Sequence, residues 1–225
     1  MSYSFGKSIV TDGLVFYVDA GNDNSYPGTG TTWFDLIGSN DGTFSASPTT
    51  NSDNGGSIVF DGVGDYVSLS NLNPTSNSSF TYSLWVRPTS NSSDGALIGN
   101  WSVSFMTYYD VDGANANYRA LVRGSDNSTV ATSVDTNNAT LNQWSYVTTS
   151  YDSTSLKLYV DGSLVETVST GLAPLSATVG SGIGAEDSAG GRYFNGNIAA
   201  CEVYNRVLSA SEILQNYNAL KNRFT

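Results

Sequence analysis

Two stretches of the chain carry oxygen-bearing side chains at spacings that could bind a hard cation. In the segment YYDVDGANANYR, Asp110, Asp112, Asn115 and Asn117 alternate around Gly113. Alternating oxygen ligands in a loop that contains glycine can wrap around a calcium ion. The segment lacks the bidentate glutamate that would complete such a loop, so the tip of a long β-hairpin is the alternative interpretation.

The second stretch is GGSIVFDGVGDYVSLS, in which a turn contains Asp61 and Asp65. Alternation predicts two short strands on either side of it, Ser57 to Phe60 and Tyr66 to Leu69. Two glycines and two aspartates suit a tight hairpin corner, because glycine allows positive φ and aspartate accepts bonds from turn amides. Calcium held by Asp61 or Asp65 is the alternative, since clustered carboxylates and carbonyls suit that ion.

Residue types also limit the reactions that the chain could catalyse. Histidine is absent, which removes the commonest general base, the usual zinc ligand and any His-based triad. Glycoside hydrolysis needs two carboxylates at a defined separation, which an alternating Glu-x-Asp-x-Glu strand would supply. The four glutamates are instead scattered singly, at Glu166, Glu186, Glu202 and Glu212. We therefore expect a protein that is not an enzyme.

The charge balance excludes two classes of partner. The 225 residues include 9 Lys plus Arg against 20 Asp plus Glu, for a net charge of -11. This balance repels phosphate backbones and anionic lipid, so we expect no nucleic-acid partner and no membrane. The apolar run Leu14 to Val18 is too short for a signal-peptide core, which predicts synthesis in a host cytoplasm without a signal peptide. The single cysteine, Cys201, is predicted to be an inert buried thiol.

The elements that must position these residues are mostly short strands. Aromatic side chains among abundant Ser, Thr, Asn and Gly favour pleated strands joined by turns. Alternation in FTYSLWVR, Phe80 to Arg87, predicts one core face, with Trp85 on the other face near a second sheet. LKLYVDGSLVETV predicts a hairpin with a primed turn at Asp161-Gly162. The remaining predicted strands are Leu14 to Asp19, Gly95 to Gly99, Ser102 to Tyr108, Tyr118 to Arg123, Thr129 to Val134, Gln143 to Tyr151, Ser155 to Val160, Ser163 to Val168, Ala177 to Gly184 and Tyr193 to Tyr204.

Short strands at close spacing are typical of one sandwich or barrel domain. We predict an N-terminal arm over residues 1–13, a sandwich over residues 14–208 and a helix over residues 209–225. Ser209 and Glu212 form the Ser-x-x-Glu capping box of that helix. The helix is expected to pack on the sandwich, and contact of the helix or the arm with a neighbouring subunit is the alternative.

Seven segments, in the same order, resemble the laminin-G-like jelly rolls of the concanavalin-A-like lectin and glucanase superfamily. They cover nearly the whole chain and read GLVFYVDAGN, WFDLIGSNDGTF, GGSIVFDGVGDYV, FTYSLWVRP, WSYVTTSYD, LYVDG and FNGNIAACEVYNRVLSASEI. The resemblance implies an all-β fold with two antiparallel sheets in a jelly-roll sandwich. It also implies sugar binding in some members and a bound calcium in many.

One departure from the family pattern bears on calcium. Family members usually carry an aspartate directly after the isoleucine of the final strand, whereas Ala199 follows Ile198 here. A methyl group cannot coordinate a cation, so we expect a lost or weakened site. The candidate metal ligands that remain along the chain are Asp19, Asp61, Asp65, Asp110 and Asp112.

Sugar binding requires exposed aromatic faces together with polar groups that orient the ligand. Trp33, Trp85 and Trp144 fall in family-like segments and are assigned to the core. The residues that lie outside those segments or beside loops are the candidates, namely Trp101, Tyr108, Tyr109 and Tyr193 with Arg119, Asp187 and Arg192 as polar partners. The alternative is that these aromatic residues are packed or contact another subunit.

Three segments of the chain look most like versions found in virion proteins of tailed bacteriophages, namely IVTDGLV, NSYPGTGTTWFDL and LSASEILQNYNALKNRF. This resemblance implies a non-catalytic structural protein of the virion, which decorates the capsid or forms part of a fibre or adhesion structure. The expected partners are other virion proteins and copies of the same chain. The alternative function is a carbohydrate-binding, lectin-like adhesion module that takes a cell-surface glycan.

Overall fold

Two antiparallel sheets and one helix make up the part of the chain that is described. A computed structural model describes residues 8–70, 72, 79–100, 105–112, 115–124, 130–134, 139–170 and 180–224. Each sheet has eight strands. The predicted all-β, two-sheet jelly-roll sandwich with one C-terminal helix is confirmed.

Sheet A is built around the long strand that ends the sandwich. Its members, in chain order, are β1 (Leu14–Asp19), β4 (Thr49–Asn51), β5 (Ser57–Asp61), β7 (Phe80–Pro88), β12 (Ser145–Tyr151), β13 (Ser155–Val160), β14 (Ser163–Ser169) and β16 (Asn195–Tyr204). Their spatial order is β14-β13-β12-β7-β16-β5-β4, and β1 also pairs with β16.

Sheet B faces sheet A across the core. Its members, in chain order, are β2 (Thr32–Trp33), β3 (Gly42–Phe44), β6 (Val67–Leu69), β8 (Gly95–Asn100), β9 (Phe105–Asp112), β10 (Asn115–Arg123), β11 (Val130–Val134) and β15 (Ser181–Ile183). Their spatial order is β11-β10-β9-β8-β15-β6-β3-β2.

The core lies between the two sheets and is rich in aromatic rings. Phe80, Tyr82, Leu84 and Val86 of β7 all belong to it, which confirms the alternation predicted for this strand. The ring of Tyr82 stacks on Phe105 of sheet B with centroids 4.2 Å apart. Burying these side chains from both sheets is the main source of stability for such a sandwich.

The C-terminal helix covers the outer face of sheet A. Helix α1 spans Ala210–Leu220 and begins with the predicted capping box, since Ser209 and Glu212 each bond the other's backbone N–H. Trp85 stacks beneath this end of the chain, with its ring centroid 4.3 Å from that of Phe224. The expectation that Trp85 lies near the second sheet is therefore wrong, because the helical end of the chain covers the face of β7 that carries it. No helix in the described ranges is long and apolar enough to cross a membrane.

The turn that contains Asp61 and Asp65 does not close a hairpin. The strand before it, β5, pairs with β16 and β4 in sheet A. The strand after it, β6, pairs with β15 and β3 in sheet B. Phe60 and Val67 both point into the core from opposite sides. The turn thus carries the chain from one sheet to the other, and the hairpin prediction for it is wrong.

Two other predicted hairpins are confirmed. Strands β13 and β14 pair around Asp161 and Gly162, whose φ angles of 52° and 78° are both positive, as a primed turn requires. Strands β9 and β10 pair down to Asp112 and Asn115. Gly113, between them, lies outside the described residues.

The described part of the N-terminal arm lies against its own chain. The backbone N–H of Val10 donates to Asn216 of α1 at 2.8 Å, and the hydroxyl of Tyr204 donates to the carbonyl of Val10 at 2.9 Å. The side-chain amide of Gln215 donates to the carbonyl of Ser8 at 2.9 Å. These bonds join the arm and the helix over the outer face of sheet A.

Candidate functional site

Strands β9 and β10 turn polar side chains to the outer face of sheet B. In β9, Phe105 and Tyr109 face the core, so Tyr108 and Asp110 face outward. The strand register places Arg119 of β10 directly opposite Tyr108. Paired residues of antiparallel strands share a face, and the three side chains therefore lie together.

These three side chains hold one another in place. Arg119 Nε lies 3.0 Å from Asp110 Oδ2, and the side chains of Arg119 and Tyr108 share a hydrogen bond. Tyr108 is only 7% exposed and packs with Met106 and Leu121. Burial raises the pKa of the Tyr108 hydroxyl, and the neighbouring guanidinium of Arg119 lowers it. The arrangement offers donors and acceptors whose directions are already set.

A loop that connects β15 to β16 brings a second arginine to the same face. Arg192 lies 3.5 Å from Asp94 Oδ2 and 3.1 Å from Glu186 Oε2. The other oxygen of Asp94 accepts the backbone N–H of Val111 at 2.8 Å, which ties this group to β9. The carbonyl of Arg192 accepts the N–H of Ala96, so the loop is bonded along β8.

The two groups are neighbours, because Asp94 accepts the backbone N–H of Val111, the residue that directly follows Asp110. Arg192, Asp94 and Glu186 are between a quarter and about two fifths exposed and can be reached by a ligand. We call this set the outer-face cluster, which comprises Asp94, Tyr108, Asp110, Arg119, Glu186 and Arg192.

Two half-buried tyrosines lie beside the loop. The rings of Tyr66 and Tyr193 are 6.1 Å apart between centroids and tilted by 36°. Tyr193 directly follows Arg192 in the chain, and Tyr66 directly precedes β6 of sheet B. Gly190 makes room for Tyr193, since a Cβ there would lie 2.5 Å from the tyrosine hydroxyl.

The structure thus brings together four of the residues predicted for sugar binding, which are Tyr108, Arg119, Arg192 and Tyr193. Asp187 is in the same loop, where its carboxylate accepts the N–H of Ala189 at 2.7 Å and shapes the turn. The sequence does not predict that Asp94 and Glu186 belong to this cluster or that Tyr66 lies against Tyr193. The one sequence signal for Asp94 is its place directly before the predicted strand at Gly95.

Two other predicted sugar-binding residues are not on this face. Tyr109 is 1% exposed, and its ring packs edge-on against Phe194 at 6.2 Å, inside the core. It follows Tyr108 directly in an alternating strand and must point the opposite way, so its selection as an exposed aromatic residue is wrong. Trp101 lies outside the described residues.

Two open clefts lie away from the outer-face cluster. One of about 370 Å³ is lined by Gln143, Trp144 and Leu164 among others. The prediction that Trp144 lies in the core is wrong, because its side chain is only half-buried; its ring packs on Phe224 and its indole N–H donates to Asn54. The other cleft, of about 320 Å³, is lined mainly by glycines and small polar residues around Gly21 and Gly56.

The carboxylate of Asp19 is already bonded on both oxygens. Oδ2 lies 2.7 Å from the Arg223 guanidinium and 3.2 Å from the Tyr17 hydroxyl, and Oδ1 accepts the N–H of Gly21 at 2.8 Å. The methyl group of Ala199 packs in the apolar cluster beneath α1. An arginine thus neutralises the carboxylate of Asp19, and an apolar methyl group occupies position 199, so these residues do not fit a calcium ion.

The other predicted metal ligands also have protein partners or stand alone. Asp61 accepts the N–H groups of Val63 and Gly64, and these bonds lower its pKa. Burial and the charge of Asp61 raise the pKa of Asp65. Asp110 pairs with Arg119, and Asp112 is exposed at the end of β9. Among the described residues, no group of three or more potential metal ligands occurs.

We expect calcium to leave the stability of the protein unchanged. The melting temperature measured with calcium at about 1 mM, a concentration that fills weak extracellular sites, should equal that in excess chelator. A rise in melting temperature with calcium that is abolished by Asp61→Asn would contradict this and would place an ion in the turn between the sheets.

A buried glutamate lies on the other side of the molecule, beneath α1. Glu202 of β16 is 1% exposed, and its Oε2 accepts the Tyr146 hydroxyl at 2.7 Å and the Asn216 side-chain amide at 3.1 Å. Burial raises the pKa of Glu202 to about 7. The sequence gives no sign of this, because the strand register and the helix together create the site.

A family model described as the concanavalin A-like lectin/glucanases superfamily, of the laminin G type, matches residues 61–214, which is more than half of the chain. Among curated proteins, no sequence matches the chain.

Solved structures share the fold at low sequence identity. The binding domain of Paraclostridial Mosquitocidal Protein 1 is 17% identical with a TM-score of 0.73, over 92% of this chain and 52% of that one. Domain 4 of AbnA, an extracellular arabinanase from Geobacillus stearothermophilus in complex with arabinotriose, is 16% identical with a TM-score of 0.70, over 91% and 98%. The botulinum neurotoxin serotype D ligand-binding domain in complex with N-acetylneuraminic acid is 14% identical with a TM-score of 0.69, over 92% and 50%. The chain spans about half the length of the toxin domains.

Proposed function

Since the chain belongs to the concanavalin A-like lectin/glucanases superfamily, we propose that it is a carbohydrate-binding module whose ligand docks on the outer face of sheet B. The observation that carries the proposal is the outer-face cluster itself. Strands β9 and β10 and one loop converge there, and each supplies a charged side chain that is held by a partner and still partly exposed.

The chemistry of the cluster suits sugar hydroxyl groups. A hydroxyl both donates and accepts, so carboxylates such as Asp94 and Glu186 can accept from it while Arg119 and Arg192 donate to it. Because the ion pairs fix these side chains before the ligand arrives, little conformational entropy is lost on binding. The rings of Tyr66 and Tyr193 add apolar surface for the faces of a sugar ring.

Two of the similar structures support a sugar as the ligand class. The arabinanase domain, which this chain matches over nearly its whole length, was solved with arabinotriose. The neurotoxin domain was solved with N-acetylneuraminic acid. At these sequence identities the similarity shows a shared fold and no more, so the choice of the outer face of sheet B as the binding face rests on the residues of this chain.

We expect Tyr108→Phe and Asp110→Asn each to weaken glycan binding about tenfold. Each change removes one member of the bonded set around Arg119 without changing side-chain size, and a lost hydrogen bond to a charged group corresponds to about 1.5–3 kcal/mol. A glycan array with the wild-type chain identifies the best ligand, and isothermal titration calorimetry then measures its affinity for each variant.

Tyr159→Phe is the matched control for this experiment. Tyr159 is 4% exposed and belongs to the cluster beneath α1, so the change removes a hydroxyl from an equally buried tyrosine of the other sheet. Its affinity should equal that of the wild type. Unchanged binding in Tyr108→Phe and Asp110→Asn, with loss in Trp144→Ala, would move the site to the cleft at Trp144.

We further propose that the protein acts by binding and not by catalysis. The four glutamates lie in β14, the β15–β16 loop, β16 and α1, and the one that is fully buried, Glu202, is bonded beneath the helix. Sustained release of reducing ends from a panel of polysaccharides would overturn this part of the proposal.

The location of the protein in a bacteriophage virion stays a prediction, which rests on the amino-acid sequences of three segments. A sugar-binding module at the surface of a particle is compatible with it, because host attachment by glycan is an adhesion function. Mass spectrometry of purified particles from the source culture tests the location separately from the binding.

A further inference from the structure

We infer that the outer-face cluster selects uncharged glycans and rejects anionic ones such as sialylated or uronic-acid sugars. This inference rests on the proposed function and names the ligand class of the same site. It follows from the charges that the described residues place on the outer face of sheet B.

Carboxylates outnumber guanidinium groups on this face. Alternation along β9 and β10 turns Asp110, Asp112, Arg119 and Arg123 outward, and the flanking segments add further charged groups. Among the described residues, the charged side chains of this face and its covering loop are the carboxylates of Asp94, Asp110, Asp112, Glu186 and Asp187 and the guanidinium groups of Arg119, Arg123 and Arg192. Five negative charges against three positive ones leave a formal charge of two negative units.

Both arginines of the cluster are already paired with carboxylates. Arg119 lies against Asp110, and Arg192 lies between Asp94 and Glu186. A ligand carboxylate could reach either guanidinium only by lying close to the acid that holds it. An anionic ligand would therefore compete with a carboxylate of the protein for either guanidinium group of the cluster.

The size of the penalty follows from Coulomb's law. Two like charges about 5 Å apart repel by about 1–3 kcal/mol for an effective dielectric constant between that of water and that of a protein surface. This corresponds to about 5- to 150-fold weaker binding. The face as a whole adds to the effect, because the net charge of the chain is -11.

The titration of Asp110 is consistent with crowded carboxylates. Burial raises its pKa, and the charges of Asp94 and Asp112 raise it further, while Arg119 and Arg192 act in the opposite direction. One carboxylate of the cluster is thus held protonated to a higher pH than usual, and a further anion would face the same repulsion.

Uncharged sugars meet no such penalty. Their hydroxyl groups can donate to the carboxylate oxygens and accept from the guanidinium N–H groups without separating any ion pair. The neurotoxin domain solved with N-acetylneuraminic acid shares 14% of its residues with this chain, so its anionic ligand does not carry over with the fold.

Matched pairs of ligands test the inference. Calorimetric titrations with galactotriose and lactose are compared with those of their acidic counterparts, trigalacturonic acid and 3′-sialyllactose, at low and at physiological salt. We expect at least one uncharged sugar to bind, and its acidic counterpart to bind about tenfold or more weakly. The difference should shrink as salt increases, because salt screens the repulsion.

The outcomes separate the inference from the proposed function. Equal or tighter binding of an acidic sugar overturns the inference and leaves the function standing. Failure of all four sugars, and of a broad glycan array, overturns the function and the inference with it.

A double variant adds a second test. Asp94→Asn with Glu186→Gln removes both carboxylates that hold Arg192, so the ratio of acidic to uncharged sugar affinity should rise about tenfold or more. Asp23→Asn with Asp53→Asn is the control, because it removes the same formal charge at exposed residues away from this face. An equal rise in both double variants would show that only the net charge of the chain matters, and would contradict selection by the cluster.

Discussion

Replacing Trp85 by alanine is expected to lower the free energy of unfolding by about 3–5 kcal/mol, the cost of truncating a buried aromatic residue. Trp85 is 1% exposed, and the centroid of its ring lies 4.3 Å from that of Phe224 and 5.6 Å from that of Tyr217. The change opens a cavity beneath the helical end of the chain that neither neighbour can fill without moving. Urea denaturation followed by circular dichroism measures the loss.

Trp144→Ala is the control, because Trp144 packs on the same Phe224 ring at 4.7 Å but is only half-buried. Its truncation should cost about 1 kcal/mol, as is common for partly exposed sites. Equal losses for the two variants would mean that α1 and the residues after it do not depend on Trp85 for docking on sheet A.

Glu202→Gln is expected to remove most of the pH dependence of stability between pH 5 and pH 8. Burial raises the pKa of Glu202 from 4.5 to about 7, so the folded state favours the protonated carboxyl. Its contribution to stability is fully present below about pH 4.5 and is lost as the pH rises through about 7. A difference of this size corresponds to about 2–3 kcal/mol over the interval.

The chain is well suited to this measurement. It contains no histidine, the side chain whose ordinary pKa lies in this interval. Glutamine keeps an oxygen that can accept the bonds from Tyr146 and Asn216. The free energy of unfolding of the wild type, measured at steps of pH, should therefore fall from pH 5 to pH 8, and that of the variant should stay nearly constant.

Glu212→Gln is the matched control, because the pKa of Glu212 is lowered whereas that of Glu202 is raised. Hydrogen bonds from Arg206 lower the pKa of Glu212 to about 2, so this carboxylate stays ionised throughout the interval. Its replacement should lower stability by a similar amount at every pH and leave the slope unchanged. If Glu202→Gln keeps the slope of the wild type, the buried carboxyl is not the group that titrates.

Much of the fold could be predicted from local patterns. The capping box of α1, the primed turn at Asp161-Gly162 and the alternation of β7 depend on neighbours within a few residues, and all three are confirmed. The turn from Asp61 to Asp65 could not be interpreted in this way. Its residues suit a hairpin equally well, and only the pairing partners of β5 and β6 show that it joins two sheets.

The candidate site was predictable in part for the same reason. Tyr108 is a candidate because it lies outside the family-like segments or beside a loop, Arg119 and Arg192 are candidates as its polar partners, and the register of β9 and β10 explains why Tyr108 and Arg119 meet. Tyr109 was selected on the same grounds, but the alternation of β9 points it into the core. Asp94 cannot be predicted from local patterns, because its partner Arg192 is about 100 residues away, and the contact of Glu186 with Arg192 depends on how the loop between β15 and β16 folds.

The sequence by itself determined the family, the all-β sandwich with its capped helix, and an acidic chain without histidine, because composition and local patterning are sufficient for these properties. Tertiary structure decided which side chains share a surface. It placed Arg223 on Asp19, Trp85 and Glu202 beneath the C-terminal helix, and Arg192 against Asp94 on sheet B. Each of these contacts joins residues distant in the chain, and such contacts depend on how strands and loops pack, which no short segment encodes.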